Sequence, residues 1–163
     1  YIGVLYSLSY AVKMSPKKQM APEGYFDYTV YPLEGVWDLS EDAKKNYTGV
    51  LHKKDLVFNL MMRQPDFVDK EFAMEILEYV NKKKPHSLLP QVQFETISEG
   101  KSIQMLHVGS YDSEPESFKL MEEFANSENY KRIGKNHREI YLSDARKVAP
   151  DKLKTVLRFP IED

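Results

Sequence analysis

One half of this sequence repeats the pattern of the other, and that repeat limits the fold more than any other feature. Residues 102–109, 114–125, 137–142 and 155–161 read as strand, helix, strand, strand. Residues 1–14, 25–37 and 56–62 read as helix, strand, strand. A strand ahead of Tyr1 would make the halves match, so one N-terminal strand is expected to precede this chain, which opens on Tyr1 rather than Met. Two strand-helix-strand-strand units can form one antiparallel sheet with both main helices on one face. The other face is then concave and free to hold a ligand. The expected class is α+β, a single domain over residues 1–163, with a helix near 70–83 and a strand at 92–96 joining the halves.

The elements follow from local chemistry. Leu5, Leu8 and Val12 recur at helical spacing, with Tyr6 and Tyr10 on a neighbouring stripe, and Ser15-Pro16 ends that helix. Its apolar surround predicts burial on most sides. Residues 25–38 are rich in Tyr, Phe, Thr and Val, as strands are. Asp38 to Lys54 reads as a solvated connection, and Leu56 to Met62 as the next strand. Asp69 is placed to cap a helix carrying Phe72, Ile76, Tyr79 and Val80. Val92 to Thr96 alternates, and the turn Ser98-Glu99-Gly100-Lys101 predicts a hairpin with Ser102 to Gly109. Ser113, Pro115 and Glu116 read as cap, first turn and capping box of a helix bearing Phe118, Met121 and Ala125. Asn126 to Asn136 reads as a loop.

Composition excludes several functions. The net charge of -2 lacks the Lys and Arg surplus that phosphate binding needs, so nucleic acid is not expected as a partner. No apolar run approaches the ~20 residues of a membrane span. The apolar start has no basic stretch before it, unlike a signal peptide. With no cysteine, thiolate chemistry, disulfides and Cys-ligated zinc are out, and a cytoplasmic location is the default. The four His, at 52, 86, 107 and 137, show no metal-ligand spacing. There is no phosphate loop and no helix-turn-helix, and no Ser-His-Asp arrangement can be read from residue order. Aromatic residues make up 12% of the chain, enough to wall a small-molecule pocket.

His137, Glu139 and Tyr141 alternate onto one face of their strand, and Ile140 and Leu142 onto the other. If Ile140 and Leu142 face the helices, Glu139 looks into the concave side. Taken alone, a strand glutamate is most often a surface residue. Trp37 is either core or pocket wall by the same kind of reading, and so are Tyr6 and Tyr10.

Several segments, in order and along essentially the whole chain, resemble the GyrI-like small-molecule-binding family. They are Tyr6 to Met14 (YSLSYAVKM), Pro32 to Trp37 (PLEGVW), Gln64 to Val68 (QPDFV), Glu99-Gly100, Met105 to Pro115 (MLHVGSYDSEP), His137 to Asp144 (HREIYLSD) and Lys154 to Arg158 (KTVLR). The resemblance implies a duplicated strand-helix-strand-strand fold with a ligand cleft between the halves. It implies a stand-alone relative of the drug-sensing domains of multidrug-responsive regulators, similar to hydrolases of cyclopropane-bearing genotoxins. Glu139 then matches the acidic residue essential to that activity, with Trp37, Tyr6, Tyr10, His107, Tyr111 and Tyr141 as ligand-binding neighbours. The implied partner is a small aromatic or cationic ligand, with no cofactor and no metal. DNA gyrase is a further partner suggested by the founding member, but nothing in the sequence marks a surface for it. Glu139 would activate water or pair with a cationic ligand. Two positions depart from the family pattern: Asp38 stands where a second aromatic is expected after Trp37, and Arg138 where His is common before the Glu.

Overall fold

A computed structural model describes residues 1–48 and 52–162. The middle of the 38–54 connection, residues 49–51, lies outside the described residues. The described chain forms two compact units. One comprises Tyr1–Tyr31 with Met61–Ile97, the other Pro32–Leu60 with Ser98–Asp163. Among the described residues, no helix is long and apolar enough to cross a membrane.

The first unit is built on two helices, α1 (Ile2–Lys13) and α3 (Lys70–Lys83). Asp69 caps α3 as expected, its side chain accepting from the Phe72 N–H at 2.8 Å. Phe72, Ile76 and Val80 face Val4 and Val12 of α1, and Val68 and Leu89 complete the core. The α1 stripe differs from the expected one. Val4, Ser9 and Val12 are buried, Leu5 and Leu8 are half-buried, and Ile2 and Tyr10 are exposed. Ser9 is satisfied by Gln64, whose amide donates to its hydroxyl at 3.0 Å.

Residues 25–31 are not a strand. Tyr25, Phe26 and Tyr28 instead pack their rings around Phe67, with centroids 5.1–6.0 Å away. These rings have the composition of a strand, but here they bury one another and no ladder forms. The expected hairpin of 92–96 with 102–109 is also absent. Leu89–Gln91 is a short 3₁₀ turn with Pro90 inside it, and Val92 and Phe94 pack against the α1–α3 core rather than pairing.

The second unit carries the sheet. Its strands are β1 (Leu33–Leu39), β2 (Leu56–Met62), β3 (Ser102–Val108), β4 (Lys131–Arg132), β5 (His137–Tyr141) and β6 (Lys154–Glu162), where Leu56 to Leu60 of β2 belong to this unit. Their order is β2-β1-β5-β6-β3, with β4 pairing the end of β6 inside the stretch expected to be loop. The corresponding strands of the two repeats, β1 and β5, pair antiparallel at the centre, and β2 and β6 flank them. The α+β class and the repeat are thus expressed in the strand order. A short helix, α2 (Glu41–Lys45), follows β1 and is capped by Ser40, whose hydroxyl accepts from the Ala43 N–H at 3.2 Å.

One face of this sheet is covered by α4 (Glu114–Ser127). Along β6 the buried positions alternate: Thr155, Leu157, Phe159 and Ile161. The last three pack with Ile103 of β3 and with Met121 and Ala125 of α4. The opposite face carries charge. Arg138 and Arg158 sit side by side across β5 and β6, and Glu99 bridges them, 3.0 Å from Arg138 and 2.6 Å from Arg158. Glu34 adds a second carboxylate, 2.9 Å from Arg138.

Phe159→Ala should cost about 3–5 kcal/mol in urea unfolding, since it deletes a fully buried ring under α4. Leu106→Ala lies on β3 but is 48% exposed on the other face, and should cost no more than about 0.5 kcal/mol. Equal losses would contradict this assignment of faces.

Candidate functional site

Antiparallel partners project to the same side of a sheet. Glu139 is paired with Leu157, the buried centre of the α4-covered core. Glu139 therefore points to the face that α4 covers, and so do His137 and Tyr141. The expected alternation holds, but its two faces are exchanged. Ile140 pairs with Val156 and is half-buried, and Leu142 is 50% exposed, so neither is the core residue expected. Glu139 itself is only 8% exposed.

Its carboxyl group is held from both sides. The Tyr141 hydroxyl donates to Oε2 at 2.8 Å. His137 Nε2 lies 2.8 Å from Oε1 and donates its proton there, because a carboxylate only accepts. The Trp37 indole N–H donates to the Tyr141 hydroxyl oxygen at 2.9 Å, which completes a relay from β1 to β5. Gly35 makes this relay possible. It lies opposite Glu139, and a Cβ there would stand 2.9 Å from Trp37 Nε1 and 3.0 Å from the Tyr141 hydroxyl. The glycine of the PLEGVW segment is thus needed for close approach rather than for an unusual backbone conformation.

Aromatic rings surround the group. Phe58 lies 4.9 Å from Trp37, Tyr111 meets Tyr141 edge-on at 6.2 Å, and Phe118 of α4 meets His137 edge-on at 4.7 Å. Burial, then the Glu139 charge, pushes the Tyr141 phenol up, and burial also raises Tyr111. Both rings stay protonated donors through the physiological range.

A second carboxyl group belongs to the site, and the sequence reading missed it. Glu114 is the first residue of α4, only 7% exposed, and lies against Glu139. Burial, then the Glu139 charge and the hydrogen bond between them, pushes its pKa up to about 8. Its Oε1 is buried and has no hydrogen-bond partner among the described residues. In the sequence, helix-start chemistry accounts for this Glu fully, so nothing singles it out. Even that reading needs correcting: Ser113 makes no side-chain cap, and its hydroxyl donates instead to the Ser110 carbonyl at 2.8 Å.

His107, expected among the ligand-binding residues, has both ring nitrogens engaged within the protein. Nε2 lies 2.9 Å from the Ser110 carbonyl, which can only accept, so it carries the proton; Nδ1 lies 2.8 Å from the Ser117 hydroxyl. His107 pins the turn that leads into α4 and so holds Tyr111 and Glu114 in place. Tyr6 and Tyr10 lie in the first unit, where their rings stack at 6.4 Å. The structure thus brings Glu139, Tyr141, Trp37 and Tyr111 together and adds Glu114, His137, Phe58 and Phe118. Arg138 faces the opposite side, as its alternation requires, paired to Glu34 and Glu99. Among the described residues, no three His, Cys, Asp or Glu side chains are grouped to hold a metal ion.

Glu114 should weaken the fold as pH rises. Its folded pKa of about 8 lies above the ordinary 4.5, so between these values the folded state binds the extra proton and loses stability with rising pH. Glu114→Gln removes that penalty. Its stability relative to the unsubstituted protein should rise by roughly 1–3 kcal/mol across this window, after allowance for solvent screening. Urea unfolding at several pH values checks this; a difference that does not change with pH would refute it.

The fold is shared with known proteins. The model of the GyrI-like small-molecule-binding domain matches residues 2–162. A crystal structure of a hydrolase from Listeria innocua is 34% identical, with a TM-score of 0.84, covering 99% of this chain and 77% of its own. A conserved, uncharacterized protein from the same organism is 35% identical at a TM-score of 0.85, covering 99% of this chain and 78% of its own. No curated protein matches the chain. With the family model spanning nearly every residue and the fold shared at this identity, the chain belongs to the GyrI-like small-molecule-binding domain family.

Proposed function

We propose that this protein binds flat aromatic or hydrophobic small molecules and hydrolyses reactive, cyclopropane-bearing ones, with Glu139 activating the attacking water. The observation that carries the reading is the buried Glu139 carboxylate, held by donors and ringed by aromatic side chains. The family supplies small-molecule binding, and a similar structure is that of a hydrolase. The cyclopropane substrate class follows the family resemblance of the HREIYLSD and PLEGVW segments. Such an activity would serve detoxification of xenobiotics.

The chemistry needs no cofactor. A carboxylate offers about four acceptor positions. Tyr141, His137 and Glu114 take three of them, which leaves one for a water. That water gives its proton to Glu139 as its oxygen bonds to the strained ring methylene. The ring C–C bond breaks, and its electron pair passes through the conjugated dienone onto the carbonyl oxygen, which ends as a phenol once it is protonated. Tyr111, a neutral phenol 42% exposed beside Tyr141, would donate to that oxygen. Trp37 and Phe58 offer ring faces for the planar substrate, so that much of the rate enhancement is positioning. The proposal uses residues of the second unit alone.

Binding without turnover is the second reading, as a multidrug-binding or sensing module. The same buried anion favours it, because a carboxylate among aromatic rings suits a cationic aromatic ligand.

Ring opening followed by absorbance separates the two. Glu139→Gln should lower turnover by roughly 10²-fold or more while ligand quenching of Trp37 fluorescence persists. Tyr141→Phe should cost on the order of tenfold, through loss of one donor to Glu139. Full turnover by Glu139→Gln sinks the hydrolase reading, and quenching with no product by the unsubstituted protein supports the binding module.

A further inference from the structure

Glu114 is a buried ionisable group that contacts Glu139 but makes no bond to the substrate or the water in the proposed reaction. We propose that Glu114 is a positioning residue: a neutral carboxylic acid that donates its proton to the Glu139 carboxylate, fixes it, and sets the upper pH limit of the site. The inference rests on the reading above only in taking Glu139 as the working carboxylate.

The surroundings of the pair require one shared proton. Glu114 and Glu139 are both more than nine-tenths buried. Among the described residues no Lys or Arg is paired with either. Arg138, next to Glu139 in sequence, projects to the opposite face and is taken by Glu34 and Glu99. The groups that face Glu114 are Glu139 from β5 and Tyr111 from the turn before α4, with Tyr141 and His137 reaching the pair through the Glu139 oxygens. Asp144 adds negative charge near Tyr111. Both phenols are neutral, so His137 is the only group among these able to carry positive charge.

The unpartnered Oε1 of Glu114 points the same way. In a carboxylic acid that atom is a neutral carbonyl oxygen, and leaving it unpaired costs little. In a carboxylate it would be a charged oxygen buried without a donor, which costs far more. The N-terminus of α4 favours the ionised form, but burial and the neighbouring charge outweigh it and place the titration near 8. Below that pH the pair carries a single negative charge and Glu139 keeps three donors. Above it, two carboxylates repel each other at close range, and Glu139 loses both a donor and its fixed orientation.

The proton can be read without a substrate, by the infrared carboxylic-acid stretch and by fluorescence of Trp37, the only tryptophan, linked to Glu139 through Tyr141. The unsubstituted protein should lose a buried carboxylic-acid band with a midpoint near pH 8, accompanied by a change in Trp37 emission. Glu114→Gln should lack both, and Glu139→Gln should shift the band's midpoint to lower pH. No acid band at neutral pH, a band that survives Glu114→Gln, or a midpoint unmoved by Glu139→Gln each overturns the proposal. These readouts hold whether or not ring opening occurs, so a failure of the hydrolase reading is seen separately. Where turnover is found, its alkaline limb should move to higher pH in Glu114→Gln, whose amide still donates. A uniform loss of rate with the limb in place would make Glu114 merely structural.

Discussion

The register of β5 against β6 governs the rest of this protein's chemistry. By setting Glu139 beside Leu157, it puts a carboxylate on the same face as the apolar core under α4. The next positions along β5 follow. Tyr141 falls beside Thr155, and His137 lies beside Trp37 of β1. A slip of one residue would send all of them to the other face and bring Arg138 inward. The apolar row of Leu157, Phe159 and Ile161 prevents that slip, since it too would lose its cover. Core packing and site assembly are therefore set by one pairing.

The two faces of the sheet resolve buried charge differently. On the outer face, Arg138 and Arg158 stand side by side, and Glu99 and Glu34 balance them. Each group there has an opposite partner. On the inner face two carboxyl groups meet, and among the described residues no Lys or Arg is paired with either. Neutralising one by a proton is the remaining solution, and it falls on Glu114. Tyr141, His137 and the proton-bearing Glu114 then surround Glu139 with donors. The geometry of those donors depends on Gly35, since any Cβ there would push into the Trp37–Tyr141 bond.

Much of this was legible in the sequence, and the misses have identifiable causes. Helix α3 and its Asp69 cap follow from strong periodicity and one good capping residue. The repeat survives as the central β1–β5 pairing. Residues 25–31 and 92–96 had strand composition, yet their rings and apolar side chains found burial within the first unit. Composition reports a need for burial, not the partner that meets it. Alternation on β5 correctly grouped His137, Glu139 and Tyr141, but periodicity says only which residues share a face. Which face the helix covers is a tertiary fact, decided here by β6, whose own alternation is unambiguous. Glu114 was hidden because an acidic residue in the first turn of a helix already has a local explanation.

The departure at Arg138 can be read in the same terms. An arginine directly before the key glutamate looks at first like a charge that would pair with it and lower its basicity. The strand puts successive side chains on opposite faces, so the guanidinium instead completes the outer network with Glu34 and Glu99. That network holds Arg138 away from the inner face. With the cation committed there, His137, Tyr141 and Glu114 are left to set the state of Glu139, and of these Glu114 is a second carboxyl group able to repel it once its own proton is lost.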